Sequence, residues 1–460
     1  MKRSLRFHIA HLAGKTAMCV QKLLGMNASY FPGTLALKLC PDFGQQIGKP
    51  EKIIAVTGTN GKTTSCNLAL SILEDNGYTV LNNRLGSNVN AGIATALISG
   101  TTIFGNIKKK YDLALFEVDE RSSRLIYDYV KPDFLLCTNL FRDSIRRNAH
   151  TEYISNFINS AIPEKTHMIL NGDDIISGRL AENNKRTYFS ISPMETDRAT
   201  CENIINDMAI CPICHANLEF TNVRYHHIGK AKCPACGFEM PKADYIAEAN
   251  TWEMNITVSE KDSKHTYHLI NDSVFNIYNE VGVIALMREF GLTQDQITRS
   301  ISKTDIVGSR HSNNEVNGTK VVTNLAKGLN PVACSCVFDY VSREPGTKEI
   351  ILILNDGAGI NEASENVTWI FDTDYHFLNQ PDIERIIIGG CRAEDEKLHL
   401  LIAGYPEERI ICTEKEMDTQ NFLKYDTDSI YILHDLFYSD HAMKIRDYVI
   451  EQLQEKGGNL

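Results

Sequence analysis

Residues 55–65 read AVTGTNGKTTS, two glycines, a lysine and several hydroxyl side chains directly after an apolar run. A turn of this composition between a strand and a helix offers backbone N–H groups and a positive helix end to a polyphosphate. Lys62 is placed to neutralise the β- and γ-phosphates, and Thr63 to offer its hydroxyl to Mg²⁺. Gly58, Thr59, Asn60, Gly61, Lys62, Thr63 and Thr64 are therefore candidate ATP-binding residues. The spacing is not the common G-x-x-x-x-G-K-[ST], which would need a glycine where Val56 stands. Glu117, in LFEVDE, lies at the end of a predicted strand, where one carboxylate suffices for a hard cation that bridges phosphates. Without the loop it would be an ordinary strand-end residue. Asp119 and Glu120 read as solvated, or as lying behind the metal ligands.

A second cluster is cysteine-based. Cys211, Cys214, Cys233 and Cys236 give C-x₂-C-x₁₈-C-x₂-C, the spacing of two knuckles around one tetrahedral Zn²⁺. Redox pairs and core cysteines are the other settings for such residues, but two matched pairs favour zinc. Four protein ligands leave no open position, so the metal is expected to be structural. His215, His226 and His227 are not needed for coordination and read as surface or packing residues.

These groups require elements to hold them. From residue 51 short β-rich runs alternate with helical patterns: KIIAVTG, then TTSCNLALSILEDNG, then YDLALFEVDE, PDFLLCTNL and THMILNGDD. The alternation predicts a mostly parallel sheet covered by helices, with ligands at the C-terminal ends of the strands. Between about 201 and 245 cysteines, histidines and turn residues replace that rhythm, as in an inserted module stabilised by metal. Helical patterning returns at FNIYNEVGVIALMREFGL. After GSRHSNNEVNG a further set of strands, KVVTNLA, EIILILND, RIIIGG, RIICT and SIYILHD, predicts a smaller α/β domain. The expected division is a helical lead-in at 1–50, a central domain at 51–312 carrying the insert, and a C-terminal domain at 313–460.

A chain of 460 residues with 43% hydrophobic and 23% charged residues reads as globular, with two or three domains. Its net charge of −11 gives no general attraction to nucleic acid, and none is expected as a partner. The start, MKRSLRFHIAHLAGKTAMCVQKLLG, has Lys15, Lys22 and His11 interrupting its apolar stretches, so neither a secretory core nor a membrane span is expected. It reads as an amphipathic helix packed on the body of the protein, or as a helix in peripheral contact with a membrane surface. Thirteen cysteines without an export signal argue against a disulfide framework and for a cytoplasmic location. Cys66, Cys137 and Cys391 read as small core residues.

TGTNGKTT resembles the ATP-binding loop of the Mur ligase superfamily, in which the early glycine is also absent and a strand-end glutamate coordinates Mg²⁺. TNLFRDSIRR resembles a family segment with Thr138, Asn139, Leu140, Asp143 and Arg147 in place. Ser144 and Arg146 depart from it, and the histidine that adds a metal ligand in many members is missing. ILNGDD resembles the family's N-A-D-D element. FNIYN resembles the helix start that supplies an adenine-side asparagine, so Asn276 and Asn279 are candidates for that role or for helix capping. With the cysteine insert, the whole arrangement is similar to the ligase-like subunits of lipid II isoglutaminyl synthases. LAKGLNP, with Lys327, and GGCRAEDEKLHL look like that group's C-terminal motifs. So does ENVTWIFDTDYHFL, with Trp369, Asp372 and Asp374 matching, and Asn366 and Phe371 departing.

The resemblance implies a Mur ligase-type P-loop ATPase core with an inserted Cys₄ zinc ribbon and a C-terminal Rossmann-like α/β domain. It implies ATP-dependent amidation of the D-glutamate α-carboxylate of the lipid II stem peptide, through an acyl phosphate. Ammonia would come from a GatD-type glutamine amidotransferase partner. An aspartate of the ligase subunit would orient the partner's catalytic histidine, with Asp372 first and Asp374 and Asp356 as the other candidates. Cys334 and Cys336 read as helix-core residues, not as a glutaminase nucleophile. The alternatives are a folylpolyglutamate synthase-like ligase and a P-loop regulatory protein that uses its ribbon for binding.

Overall fold

The computed structural model describes residues 3–85, 87–142, 150–261, 263–303, 311–355 and 367–457. These fall into two compact units, drawn from Met1–Phe141, Thr151–Thr200 and Met208–Asp305, and from Arg142–His150, Cys201–Asp207 and Ile306–Leu460.

The first unit opens with α1 (Leu5–Leu23) and α2 (Phe31–Leu39). Ser4 caps α1 by accepting from the Phe7 N–H, and Pro32 occupies the first turn of α2, where a missing N–H costs nothing. The sheet follows, with β1 (Lys52–Thr57), β2 (Val80–Asn82), β3 (Leu113–Glu117), β4 (Phe134–Cys137), β5 (His167–Asn171) and β6 (Arg186–Ile191). A hairpin of β7 (Glu219–Tyr225) and β8 (Ile228–Lys232) stands apart as its own two-stranded sheet. Then β9 (Tyr245–Asn250), β10 (Asn255–Glu260) and β11 (Ser263–His268) complete a nine-stranded sheet of order β11-β10-β9-β6-β5-β4-β1-β3-β2. It is parallel from β2 to β9 and antiparallel at the β10–β11 edge.

β1 is an interior strand between β4 and β3, buried at every position after Lys52, because helices cover both faces of a parallel sheet. α3 (Lys62–Asp75) leaves its C-terminal end, and α4 (Asn90–Gly100) follows β2. Phe7, Ala10 and Met18 of α1 join Ile93 and Leu97 of α4 and Ala55, Phe116 and Leu135 of the sheet in one core. The long helix α5 (Val274–Phe290) ends at Gly291, whose φ of 114° closes the terminus without a Cβ clash. α6 (Gln294–Ile301) opens with a capping box between Thr293 and Gln296.

The second unit is a six-stranded sheet of order β12-β13-β17-β14-β15-β16, formed by β12 (His311–Val316), β13 (Thr319–Leu325), β14 (Lys348–Ile353), β15 (Ile383–Gly389), β16 (Ile410–Thr413) and β17 (Ser429–His434). All neighbours are parallel except β12. α7 (Pro331–Arg343), the short α8 (Thr368–Phe371) and α9 (Ala393–Ile402) cover one face through Phe338, Trp369 and Leu400. α10 (Ser439–Gly457) covers the other through Ile445, Val449 and Leu453. β14 and β17 are buried throughout, as central parallel strands require.

All thirteen cysteines are free thiols. Cys66, Cys137, Cys334 and Cys336 are buried as expected, and burial pushes each of these thiols well up. Cys391 corrects the expectation. It is exposed, because β15 ends at Gly389 and Gly390, with φ of 110°, turns the chain outward before α9 begins. Among the described residues no helix is long and apolar enough to cross a membrane.

Candidate functional site

β1 delivers the glycine loop to the C-terminal edge of the first sheet. Gly58 and Gly61 have φ of 129° and 83°. A Cβ on Gly58 would stand 2.2 Å from Thr138 Oγ1, and one on Gly61 2.0 Å from Asn279 Oδ1. Both positions therefore need glycine for backbone angle and for space. The residues after β4 clamp the loop from beside. Asn60 N–H donates to Asn139 Oδ1 (3.0 Å), Asn139 Nδ2 donates to Asn60 O (3.1 Å), and Thr138 Oγ1 donates to the same carbonyl (2.6 Å). Thr59 N–H donates to Asn139 O at 2.9 Å. Asn139 thus spends its amide on loop backbone. Thr63 and Thr64 are exposed in the first turn of α3, where free N–H groups and the helix dipole favour an anion.

Lys62 folds back over this loop. Its Nζ donates to the carbonyls of Gly58 and Thr59 and pairs with Glu120 Oε2 at 3.1 Å. Burial opposes its charge, but Glu120, Glu117 and Asp119 outweigh that and raise its pKa. Neither Asp119 nor Glu120 is solvated, at 3% and 2% exposure. The turn after β3 folds both inward, and Glu120 lies behind the loop as the counter-charge of Lys62. Glu117 is half-buried, and its Oε1 accepts from Asn88 Nδ2 at 3.0 Å. Asn83 fixes the Glu117 backbone in both directions, accepting from its N–H (3.0 Å) and donating to its carbonyl (2.9 Å). A carboxylate held this way, with an exposed threonine hydroxyl at the neighbouring helix start, suits a hard divalent cation. Asn83 and Asn88 escape the sequence reading, although the asparagine-rich NNRLGSNVN was the available signal.

Asn276 lies in the first turn of α5, behind its N-cap Ser273, and donates to Asn271 Oδ1 and Ser273 Oγ, each at 2.9 Å. Asn279, 6% exposed, donates to Asn276 Oδ1 at 3.4 Å and meets Gly61 from below. Within ILNGDD, Asp174 accepts from Leu140 N–H (2.8 Å) and pairs with His227 Nε2 (3.2 Å). Burial alone would raise its carboxyl, yet His227 and the backbone donor hold it below its ordinary value. Asp173 accepts from Ser190 Oγ and Tyr278 OH at 2.7 Å each. His226 and His227, at the turn between β7 and β8, are fully buried, with the His227 ring 4.5 Å from that of Phe141. They are packing residues, and His227 also ties the hairpin to the strand that clamps the loop.

The four cysteines converge, with all four sulfurs within 4.8 Å of one another. Cys211 and Cys236 stand 3.6 Å apart, and Cys214 and Cys233 3.5 Å. The two knuckles are built alike. His215 N–H donates to Cys211 O and Gly237 N–H to Cys233 O, both at 3.0 Å, with positive φ at His215 (63°) and Gly237 (73°). His215 is the positional counterpart of a glycine, not a fifth ligand. Four sulfurs at these separations fit the shell of a tetrahedral zinc, whose Zn–S bonds are about 2.3 Å.

In the second unit Asp372 ends α8, half-buried, and its carboxylate makes no hydrogen bond or ion pair among the described residues. Burial, with Asp207 and Asp374, raises its pKa, and Arg142 opposes them. Arg142 Nε donates to Asp207 Oδ1 at 2.7 Å. Asp374 is different: fully buried, it accepts from Ile204 N–H (2.6 Å) and Asn203 Nδ2 (2.8 Å). It anchors the 201–207 segment. Asn330 caps α7 by accepting from Ala333 N–H at 2.9 Å, after Lys327, whose φ is 51°. Asp143, Ser144, Arg146, Arg147, Asp356 and Asn366 lie outside the described residues.

A phosphate loop on an interior parallel strand, a strand-end glutamate and a following α/β domain define a Mur-type ligase. Residues 56–287 match the family described as Mur ligase middle domain, and the chain belongs to the Mur ligase family. Residues 325–438 match the family described as MurT ligase C-terminal, which places the chain with the MurT-type ligases. The chain is 28% identical to the lipid II isoglutaminyl synthase (glutamine-hydrolyzing) subunit MurT of Staphylococcus aureus (strain COL), over 92% of this chain and 94% of that protein. It is also 28% identical to the subunit of the same name from Streptococcus pneumoniae (strain ATCC BAA-255 / R6), over 94% of each. Among solved structures, the pseudomurein peptide ligase type C of Methanothermus fervidus shares the fold with a TM-score of 0.69 at 16% identity, over 89% of this chain and 81% of that one. MurF of Acinetobacter baumannii does so with a TM-score of 0.62 at 14% identity, over 91% and 80%.

Proposed function

We propose that this chain is the ligase subunit of a two-subunit, glutamine-dependent lipid II isoglutaminyl synthase of peptidoglycan biosynthesis. One observation carries the reading: a Mur-type phosphate loop and a MurT-type C-terminal domain occur together in one chain that its relatives match from end to end. A carboxylate is a poor electrophile because its leaving group would be oxide. Transfer of the ATP γ-phosphoryl group to the D-glutamate α-carboxylate supplies a better one. Ammonia then attacks the acyl phosphate to give D-isoglutamine, ADP and phosphate.

Gly58, Gly61 and the start of α3 support the phosphates through backbone N–H groups. Lys62, drawn from Glu120 towards the nucleotide, offsets charge that grows during transfer. Glu117 and Thr63 would hold Mg²⁺, which would supply positive charge to offset that of the phosphates. Asn276 and Asn279 are assigned to the adenine side of the nucleotide, a reading supported by the contact of Asn279 with Gly61 of the loop. Cys211, Cys214, Cys233 and Cys236 would hold a structural Zn²⁺. The unpaired Asp372 is assigned to orient the catalytic histidine of a GatD-type glutaminase partner, since a carboxylate there fixes the imidazole tautomer. Asp374, already saturated with donors from 203–204, is the weaker candidate.

The test is mass spectrometry of lipid II incubated with the chain, Mg-ATP and ammonium, with and without a GatD-type partner and glutamine. Conversion of a carboxylate to an amide, coupled to ADP formation and dependent on the partner when glutamine is the donor, is the expected result. No mass change, with zinc-loaded folded protein, would refute the assignment.

A further inference from the structure

The helix α1 is apolar on two opposed faces. Phe7, Ala10, Gly14 and Met18 face the core. Leu5 (78% exposed), Ile9 (55%), Leu12 (62%), Val20 (48%) and Leu23 (81%) face away from it. At 100° per residue these five fall within an arc of about 80°, diametrically opposite the buried face. Leu24, Met26, Tyr30 and Phe31 continue the exposed apolar surface into the start of α2. A turn lies on the other side, against the buried face, where Gly105 meets the Phe7 ring and Thr101 meets His11. Arg3 donates to the carbonyls of Phe104 (2.9 Å) and Gly105 (3.0 Å), and Lys15 to that of Thr101 (2.6 Å), so the turn carrying exposed Ile103 and Phe104 is fastened to α1.

Charge identifies what covers this face. In a chain of net charge −11, residues 1–41 contain Lys2, Arg3, Arg6, Lys15, Lys22 and Lys38, and no aspartate or glutamate. On the helical wheel Arg6 borders one side of the exposed stripe, and His8 and Lys22 the other, while Lys15 on that side is tied to Thr101. Lys108, Lys109 and Lys110 follow the fastened turn. A helix with an apolar stripe between basic borders sinks that stripe to the headgroup–acyl boundary while its cations meet anionic headgroups. A protein partner at this face would have to be strongly acidic as well as apolar; an anionic bilayer is both at once.

We propose that the exposed stripe of α1 is a peripheral docking surface for an anionic lipid bilayer. The inference needs only the surface itself and stands apart from the ligase assignment.

The full chain is tested for co-sedimentation with vesicles of phosphatidylcholine, with and without phosphatidylglycerol. Binding should require phosphatidylglycerol and weaken with salt. The Ile9→Glu, Leu12→Glu double variant, altered only at exposed positions, should bind at least about tenfold more weakly with an unchanged melting curve. Lys22→Glu should weaken binding at low salt and match the parent at high salt. Absence of binding to anionic vesicles, or equal binding by the double variant, overturns the proposal. So does sedimentation of the parent as a dimer that the double variant breaks, with no vesicle binding by either. Vesicle binding is read without turnover, so its failure is distinct from failure of the ligase reading.

Discussion

Replacing Asp372 by asparagine should separate ammonia production from ligation. The amide keeps the size and half-burial of the carboxylate, but it carries no charge. It can neither hold a partner's imidazole in the required tautomer nor stabilise its protonated form. Loss of the corresponding charge in a Ser-His-Asp triad costs about 10⁴ in turnover. Asp372 is only half-buried, so a higher effective dielectric shrinks the electrostatic part. The expected loss is about 10²–10³, or ~3–4 kcal/mol. The assay follows ADP release and amide formation with glutamine or with ammonium as the nitrogen source. Glutamine-driven turnover should fall while ammonium-driven turnover stays within about twofold, since the phosphoryl-transfer groups are untouched. Equal loss with both sources, or no loss with either, would refute the role. The pH profile is a second check. Burial, with Asp207 and Asp374, raises the Asp372 carboxyl while Arg142 lowers it. Its ionised form disappears as pH falls through that raised value, so the glutamine-driven profile should lose activity above the ordinary carboxylate range. Arg142→Ala removes the attraction and leaves Asp207 without its partner, so this acid limb should move to higher pH. A limb that moves to lower pH contradicts the argument.

Lys62→Ala should lower amidation by about 10²–10³ or more with zinc content retained. Because that change leaves Glu120 buried without its counter-charge, at a cost of about 3–5 kcal/mol, the isosteric pair Lys62→Met with Glu120→Gln is the control that keeps the fold. Folded protein of either kind with unchanged turnover would sink the loop assignment. Gly61→Ala drives a Cβ into Asn279 Oδ1 and should abolish ATP binding measured by calorimetry. Adding Asn279→Ala relieves the clash but should recover only part, because the left-handed backbone still costs roughly 1–2 kcal/mol and a candidate adenine contact is lost with it; full recovery would mean that the clash alone matters and that Asn279 does not bind ATP. Zinc removal by a chelator should free His227 from Asp174, slacken Leu140 and Asn139, and weaken ATP binding about tenfold, ~1.4 kcal/mol. Unchanged ATP affinity after proven zinc loss would show that the hairpin and loop are not coupled.

What is legible in the sequence is what the chain writes locally. Strand, glycine turn and helix from Lys52 to Asp75 are contiguous, and each cysteine pair is four residues long, so pattern and spacing suffice. What is not legible is held by contacts between distant residues. Glu120 reads as solvated or as lying behind the metal ligands, and nothing local decides between the two, because its partner Lys62 lies 58 positions away. Leu140 meets Asp174 across 34 positions, and Arg142 meets Asp207 across 65. None of these pairs leaves a periodic trace. Cys391 fails for the opposite reason: its apolar neighbours in RIIIGGC belong to the strand, and two glycines end the strand before the cysteine.

The N-terminal helix shows how a periodic signal itself can mislead. Apolar residues on one face produce a clear amphipathic pattern, but apolar residues on two opposed faces partly cancel it. Lys15, Lys22 and His11 then look like interruptions of a single stripe. In the folded chain His11 is buried, with its Nε2 3.0 Å from Thr101 Oγ1, while Arg6 and Lys22 border an exposed apolar stripe. A one-sided helix needs only the core of its own protein. A helix apolar on both sides has satisfied one face by folding, and the charge beside the other face selects the surface that can satisfy it.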